Sequence, residues 1–287
     1  VQLNTDAGFG QIYIQQQHRF RGIIADFKSR RFVEKRSVPP SSRFRTALNE
    51  LYLEVRSRLP PSQYSDFLNW SQEMLSTQLP ELAHLPTRYE NLTGIFPRTP
   101  VVEFQNELRW IAARIGSERD KVSKFLVVKD FVSRAVLEEK YVDALTALEA
   151  LFEAYGATLW SVQLRLALEQ QVGGLEQQKR YSAQVRSVYK HGLLGFTTYH
   201  TSVRNEERTT INKFMEDIER RISNHSYYDD ATRSYMRYRL KNELPNSTSQ
   251  LGDILRIKQS HGILDIYETY VAVLQNVVRW EPHHCTM

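Results

Sequence analysis

His283, His284 and Cys285 form the one close set of metal-capable side chains in this 287-residue sequence, and their types suit zinc or copper. Adjacent ligands in a terminal tail do not readily converge on one ion, so no bound metal is expected. The other histidines, at 18, 84, 191, 200, 225 and 261, are scattered without a His-x-x-x-His or Glu-His spacing and read as turn, cap or surface residues. Cys285 as a nucleophile would need a positioned base and a stable pocket, which a tail does not supply. There is no Gly-x-Ser-x-Gly, no Gly-x-x-x-x-Gly-Lys and no strand-glycine-helix unit for a dinucleotide. Gly8 and Gly10 are too few for a phosphate loop. The acid pairs Asp229-Asp230 and Glu138-Glu139 fall at expected helix starts, where the helix dipole favours negative charge without any catalytic role. No cofactor is expected.

Charge offers a second kind of chemistry. Nine basic residues lie between Arg19 and Arg45 against two acidic ones, a local +7 inside a chain whose net charge is +5. Arg30, Arg31, Lys35 and Arg36 form the densest part and are candidates for anion or nucleic-acid contact. A second bias runs between Glu176 and Glu206, where five basic residues occur with no acidic one. KRYSAQVRSVYKH at 179–191 and RSYMRYRLK at 233–241 mix cations with tyrosine, the residue types used for phosphate contact and base stacking. Tyr235 and Tyr238, three apart, are also at core spacing, so packing is their simpler role.

The elements that must position these residues are helical. Gly 12 and Pro 10 fall below average usage, which leaves few long loops, and 41% hydrophobic content suffices for a real core. A single cysteine excludes an intramolecular disulfide, and no window has the roughly 20 apolar residues of a membrane span. A cytoplasmic setting is the expectation, and a start at Val1 suggests a piece of a longer polypeptide. QIYIQQQ at 11–17 alternates like a short strand, whereas Arg21 to Glu34 has helical spacing. After Pro39-Pro40, Ser42 is a plausible N-cap for a helix with the stripe Phe44, Leu48, Leu51, Val55 and Leu59. A further helix buries Tyr64, Phe67, Leu68, Met74 and Leu75. Prolines at 80, 86, 97 and 100 prevent any long helix there and mark the expected boundary between an N-terminal, mostly helical region, 1–100, and a helical domain, 101–287. The helix over 101–116 places Val102, Leu108, Ile111, Ala112 and Ile115 on one face and stops at Gly116.

Beyond Ser123 the pattern becomes paired. Helices at 124–137 and 141–155 are joined by Glu138-Glu139-Lys140, and so short a link makes them antiparallel. The later pairs are 159–171 with 175–190 about Gly173-Gly174, 210–224 with 228–242, and 249–259 with 263–278. EKYVDA at 139–144 and SYYDDA at 226–231 resemble the opening of the second helix of a tetratricopeptide repeat, with Tyr141 and Tyr228, Asp143 and Asp230, and Ala144 and Ala231 in matching places. The likeness covers 120–280. Tyr141 and Tyr228 are 87 apart, not a multiple of the period of about 34, so 191–207 would be an insertion or irregular turn.

The resemblance implies an all-α, right-handed stack of antiparallel hairpins whose first helices line a groove. Lys129, Gln163, Lys213 and Arg220 would then face that groove and grip an acidic or C-terminal peptide. The expected function is a protein-interaction, sensor or scaffold module with another protein or peptide as partner. A nucleic-acid or phosphate-binding domain using Arg30, Arg31, Lys35 and Arg36 is the alternative, and an all-α enzyme whose residues escape spacing arguments is a third.

Overall fold

The computed structural model describes residues 3–29, 40–83, 86–92, 100–188, 192–206, 209–224, 228–259 and 261–280. Among them there are thirteen α-helices, two short 3-10 turns and no strand. None of these helices is long and apolar enough to cross a membrane. Two compact units emerge from the contacts: Val1–Leu85 with Arg98–Arg119, and Pro86–Pro97 with Asp120–Met287.

The first unit holds α1 (Leu3–Lys28), α2 (Pro40–Arg58), α3 (Tyr64–Gln78), the short α4 (Pro80–Ala83) and α5 (Phe104–Ser117). The strand-like QIYIQQQ is helical, because its neighbours extend a 3-4 repeat through it: Gln16, Phe20 and Ile24 are buried on α1. Tyr13 meets Phe67 edge-on, with ring centroids 5.8 Å apart. On α2 the expected stripe is largely inside, with Phe44, Leu51, Val55 and Leu59 buried. On α3, Ser71 replaces Met74 in the buried set, because its hydroxyl lies 3.0 Å from that of buried Tyr52. Helix α5, which the proline punctuation assigns to the later domain, packs in this unit against α3. Its Trp110 is fully enclosed, edge-on to Tyr64 at 5.1 Å and Tyr52 at 6.2 Å. Arg56 of α2 pairs with Glu107 of α5 in a buried contact that also reaches the carbonyl of Pro100.

The second unit contains α6 (Arg119–Leu137), α7 (Tyr141–Tyr155), α8 (Leu159–Val188), α9 (Leu193–Arg204), α10 (Ile211–Asn224), α11 (Asp230–Lys241), α12 (Thr248–Lys258) and α13 (Ile263–Trp280). Helix α7 buries Ala144, Leu148 and Leu151 and packs on α8. Nominally one helix, α8 breaks at Gly174, whose φ of 73° lies outside the helical region. Arg165 sits 4.7 Å from the Tyr181 ring centroid, and Gln177 donates to Glu169 at 3.2 Å. Residues sixteen apart on a straight helix would be about 24 Å apart, so the chain folds back at Gly174 and the expected second hairpin exists.

The segment 191–207 is the main departure from the sequence reading. Its residues 193–204 form α9, a helix that packs against α8, α10 and α11. It buries Gly195, Thr197, Thr198, Thr201 and Ser202 beside Leu193 and Leu194. Small side chains let the helices approach closely, and their polarity hides the buried face from a hydrophobic-periodicity argument. Helices α10 with α11 and α12 with α13 make the remaining pairs. Residues of the first and fourth pairs also meet: Lys129 of α6 bonds Glu268 of α13 at 2.6 Å, and α13 packs on α8. A linear stack, in which each hairpin touches only its neighbours, makes no such contact.

Two glycines test this construction. Gly156 ends α7 at φ 83°, and a Cβ there would stand 1.9 Å from the backbone oxygen of Thr87, whose strand-like bridge it forms. Gly174 has φ 73° but open space around it. Gly174→Ala should therefore cost only backbone strain, about 1–3 kcal/mol, and Gly156→Ala measurably more, as read by urea denaturation of the two variants. Equal costs would mean that Thr87 does not pack where described.

Candidate functional site

The most unusual chemistry lies where α12 turns into α13. Helix α12 buries Leu251, Ile254, Leu255 and Ile257, and its last residue, Lys258, follows the same inward face. The turn is closed by the His261 amide donating to the Lys258 carbonyl at 2.9 Å. Asp265 then falls in the first turn of α13, the end of a helix that favours a carboxylate. Spacings of three and four bring the three side chains together: Lys258 Nζ is 3.0 Å from His261 Nδ1 and 3.6 Å from Asp265 Oδ1. It also lies 5.1 Å from the centroid of Tyr235 on α11. The Asp265 carboxylate accepts the backbone N–H of Leu159 at 3.0 Å, satisfying a donor at the start of α8 that has no partner within its own helix.

All three residues are 3% exposed or less. Burial pulls the Lys258 amine down to about 7, against the opposing pull of Asp265. Burial, then the charges of Lys258 and Arg239, hold His261 well below the usual imidazole range. A neutral imidazole therefore accepts from the ammonium through Nδ1, which places its own proton on Nε2. That Nε2, Asp265 Oδ2, Tyr235 OH and Thr269 Oγ1 are buried without a hydrogen-bond partner among the described residues. An amine with so low a pKa can serve as a base or a nucleophile when a substrate reaches it. Here the three groups are enclosed, and their contacts join α8, α11, α12 and α13.

Two residues expected to face a groove have partners within this unit. Lys129 pairs with Glu268, one turn beyond Asp265, and lies 5.9 Å from the Trp160 ring centroid. Gln163 donates to Thr201 Oγ1 at 3.1 Å and to the Arg239 carbonyl at 3.5 Å. Lys213 and Arg220 are exposed on α10, the latter paired with Asp217. The four are thus not gathered at one described feature. Arg30, Arg31, Lys35 and Arg36, and likewise His283, His284 and Cys285, lie outside the described residues. Among the described residues no three His, Cys, Asp or Glu side chains are grouped to hold a metal ion.

The Lys258, His261 and Asp265 set was missed in the sequence, although a signal exists. In DILRIKQSHGILDI the lysine, histidine and aspartate interrupt apolar residues at 3-4 spacing, where an exposed face would not put them. In the first unit, an open cleft of about 670 Å³ between α3 and α5 is lined by Ser62, Ser65, Asn69, Arg109 and Ser117 together with small apolar residues. It offers hydroxyls and a single guanidinium but no positioned base.

No family model matches this chain, and no curated protein or solved structure shows a significant match to it.

The ionic join has a definite energetic signature. Asp265→Ala strands both the Lys258 ammonium and the Leu159 amide and should cost about 3–5 kcal/mol in urea denaturation. Adding Lys258→Met should restore part of that loss, since no buried charge then remains. From pH about 7 upward the unfolded chain retains a lysine proton that the folded chain has released. Stability should therefore rise with pH towards about 10, and Lys258→Met should flatten that rise. A double variant no more stable than Asp265→Ala, or an unchanged pH slope, would contradict the buried pairing.

Proposed function

We propose that the chain is a protein-interaction module, built from antiparallel helical hairpins, that docks a partner polypeptide on α6 and the start of α7. The supporting observation is where apolar surface stays in water. Five of the eleven large apolar side chains that are exposed among the described residues fall between 126 and 142: Leu126, Val127, Phe131, Leu137 and Val142. Single exposed apolar residues are ordinary, but a concentration of them marks an interaction surface. Val127 and Phe131 are one helical turn apart and share a face, while Val122, Phe125, Val132 and Ala135 occupy the buried side of the same helix. Helix α6 is thus apolar on more than its inner face, the pattern of a helix that expects a second neighbour.

The Lys258 cluster is enclosed and Glu219 is taken up by Arg237 and Lys241, so these perturbed clusters favour no catalytic role over docking. The basic segment with Arg30, Arg31, Lys35 and Arg36 keeps a nucleic-acid or phosphate role as the second reading, carried by its charge density. Lys213 and Arg220, exposed on α10, would offer cationic contacts to an acidic partner.

Replacing Val127 and Phe131 together by Glu tests the first reading. Both are solvent-exposed, so the variant should keep the wild-type melting temperature within a few degrees, while partner recovery in cross-linked pull-downs falls at least about tenfold, as loss of central apolar contacts does. Undiminished recovery of the same partner would sink the assignment.

A further inference from the structure

The second half of α8, together with α9 and α10, concentrates positive charge around one aromatic ring. The Arg186 guanidinium carbon lies 4.9 Å from the Tyr199 ring centroid, and that of Arg221 lies 5.6 Å from it. Neither arginine forms an ion pair with any described residue, although most cations of this unit do. The Arg186 Nε is buried and has no hydrogen-bond partner. The nearby acid, Asp217, is engaged by Arg220. On the α8–α9 side the stretch between Glu176 and Glu206 contains no acid, and Glu206 itself stands 4.0 Å from Lys179; on α10, Glu219 is engaged by Arg237 and Lys241.

We propose that Arg186 and Arg221, gathered at Tyr199, form a site for a phosphate-type oxyanion carried by a small molecule. Two guanidiniums held at one ring, neither in an ion pair, repel each other and leave N–H donors open. A tetrahedral oxyanion accepts from both forks at once and cancels the repulsion, whereas a single lysine-like point charge would not select it. The aromatic ring holds the guanidiniums in place without neutralising them, as cation–π contacts do.

His200, beside Tyr199 with ring centroids 5.0 Å apart, reports on the site. It is 4% exposed, and its pKa is lowered to about 4 by burial first, then by Arg221 and Arg186, against the opposing pull of Asp217. The groups facing it are Arg186 from α8, Phe196 and Tyr199 from its own helix, and Asp217 and Arg221 from α10, with Tyr228 edge-on to Phe196. An anion bound between the arginines must raise this pKa, and so must removal of either arginine.

The experiment is an NMR titration of the His200 ring in the full chain with inorganic pyrophosphate, at ionic strength fixed with chloride. The proposal expects a saturable shift, a raised His200 pKa at saturation, and binding at least tenfold weaker in Arg186→Gln and Arg221→Gln. Arg186→Lys, which keeps the charge but loses the fork, should also weaken binding. Circular dichroism confirms that each variant is folded, and the wild-type titration stands even where a variant is not. Absence of a saturable shift, equal binding by the variants, a shift reproduced by added chloride alone, or a response confined to single-stranded oligonucleotides would each overturn it.

Discussion

A lysine ammonium with no access to water has to be neutralised or lose its proton, and the second unit is arranged around that constraint. Lys258 cannot leave the interior, because Leu251, Ile254 and Leu255 fix the face of α12 from which it projects. Asp265 must therefore sit within reach of it, which sets the tight turn between α12 and α13 and the position of His261 in that turn. The same carboxylate receives the first free N–H of α8, so the start of one hairpin is tied to the turn of another lying 106 residues further on. Removing the carboxylate would leave two buried groups unsatisfied rather than one.

Elsewhere in the unit the packing relies on small and polar side chains more than on large apolar ones. Helix α9 is inserted between α8 and α10 on a surface of threonine, serine and glycine. The hydrogen bonds that hold it come from α8: Gln178 donates to the Ser202 carbonyl and Gln170 to that of Asn205, at 2.9 and 2.8 Å. Side-chain amides thus satisfy the carbonyls at the end of α9, the groups a helix cannot satisfy internally. The joins made by Asp265, Gln178 and Gln170 are all polar, tying α8 to α13 and to α9.

Much of the fold was legible in the sequence where burial is apolar and periodic. The stripes of α2, α7 and α11, the proline breaks, and the reversal at Gly174 follow from spacing and from the backbone freedom of glycine. What spacing could not convey was burial of polar groups. Helix α9 escaped because Thr197, Thr198 and Thr201 read as a loop, and the Lys258 cluster escaped because isolated charges read as surface. Lys129 and Gln163 were read as groove residues; their intramolecular partners, Glu268 and Thr201, are distant in sequence and only the fold brings them near. The exposed Val127 and Phe131 look like ordinary core residues in the sequence, and only their solvent exposure marks them as a surface.

The central claim is that the buried carboxylate of Asp265 pins the start of α8 to the α12–α13 turn. Native-state hydrogen exchange of the Leu159 amide measures this directly. With the contact in place, that amide exchanges only through global unfolding, although it lies in the first turn of a helix, where amides normally exchange quickly. A Leu159 amide that exchanges as fast as the other first-turn amides of the chain would contradict the account.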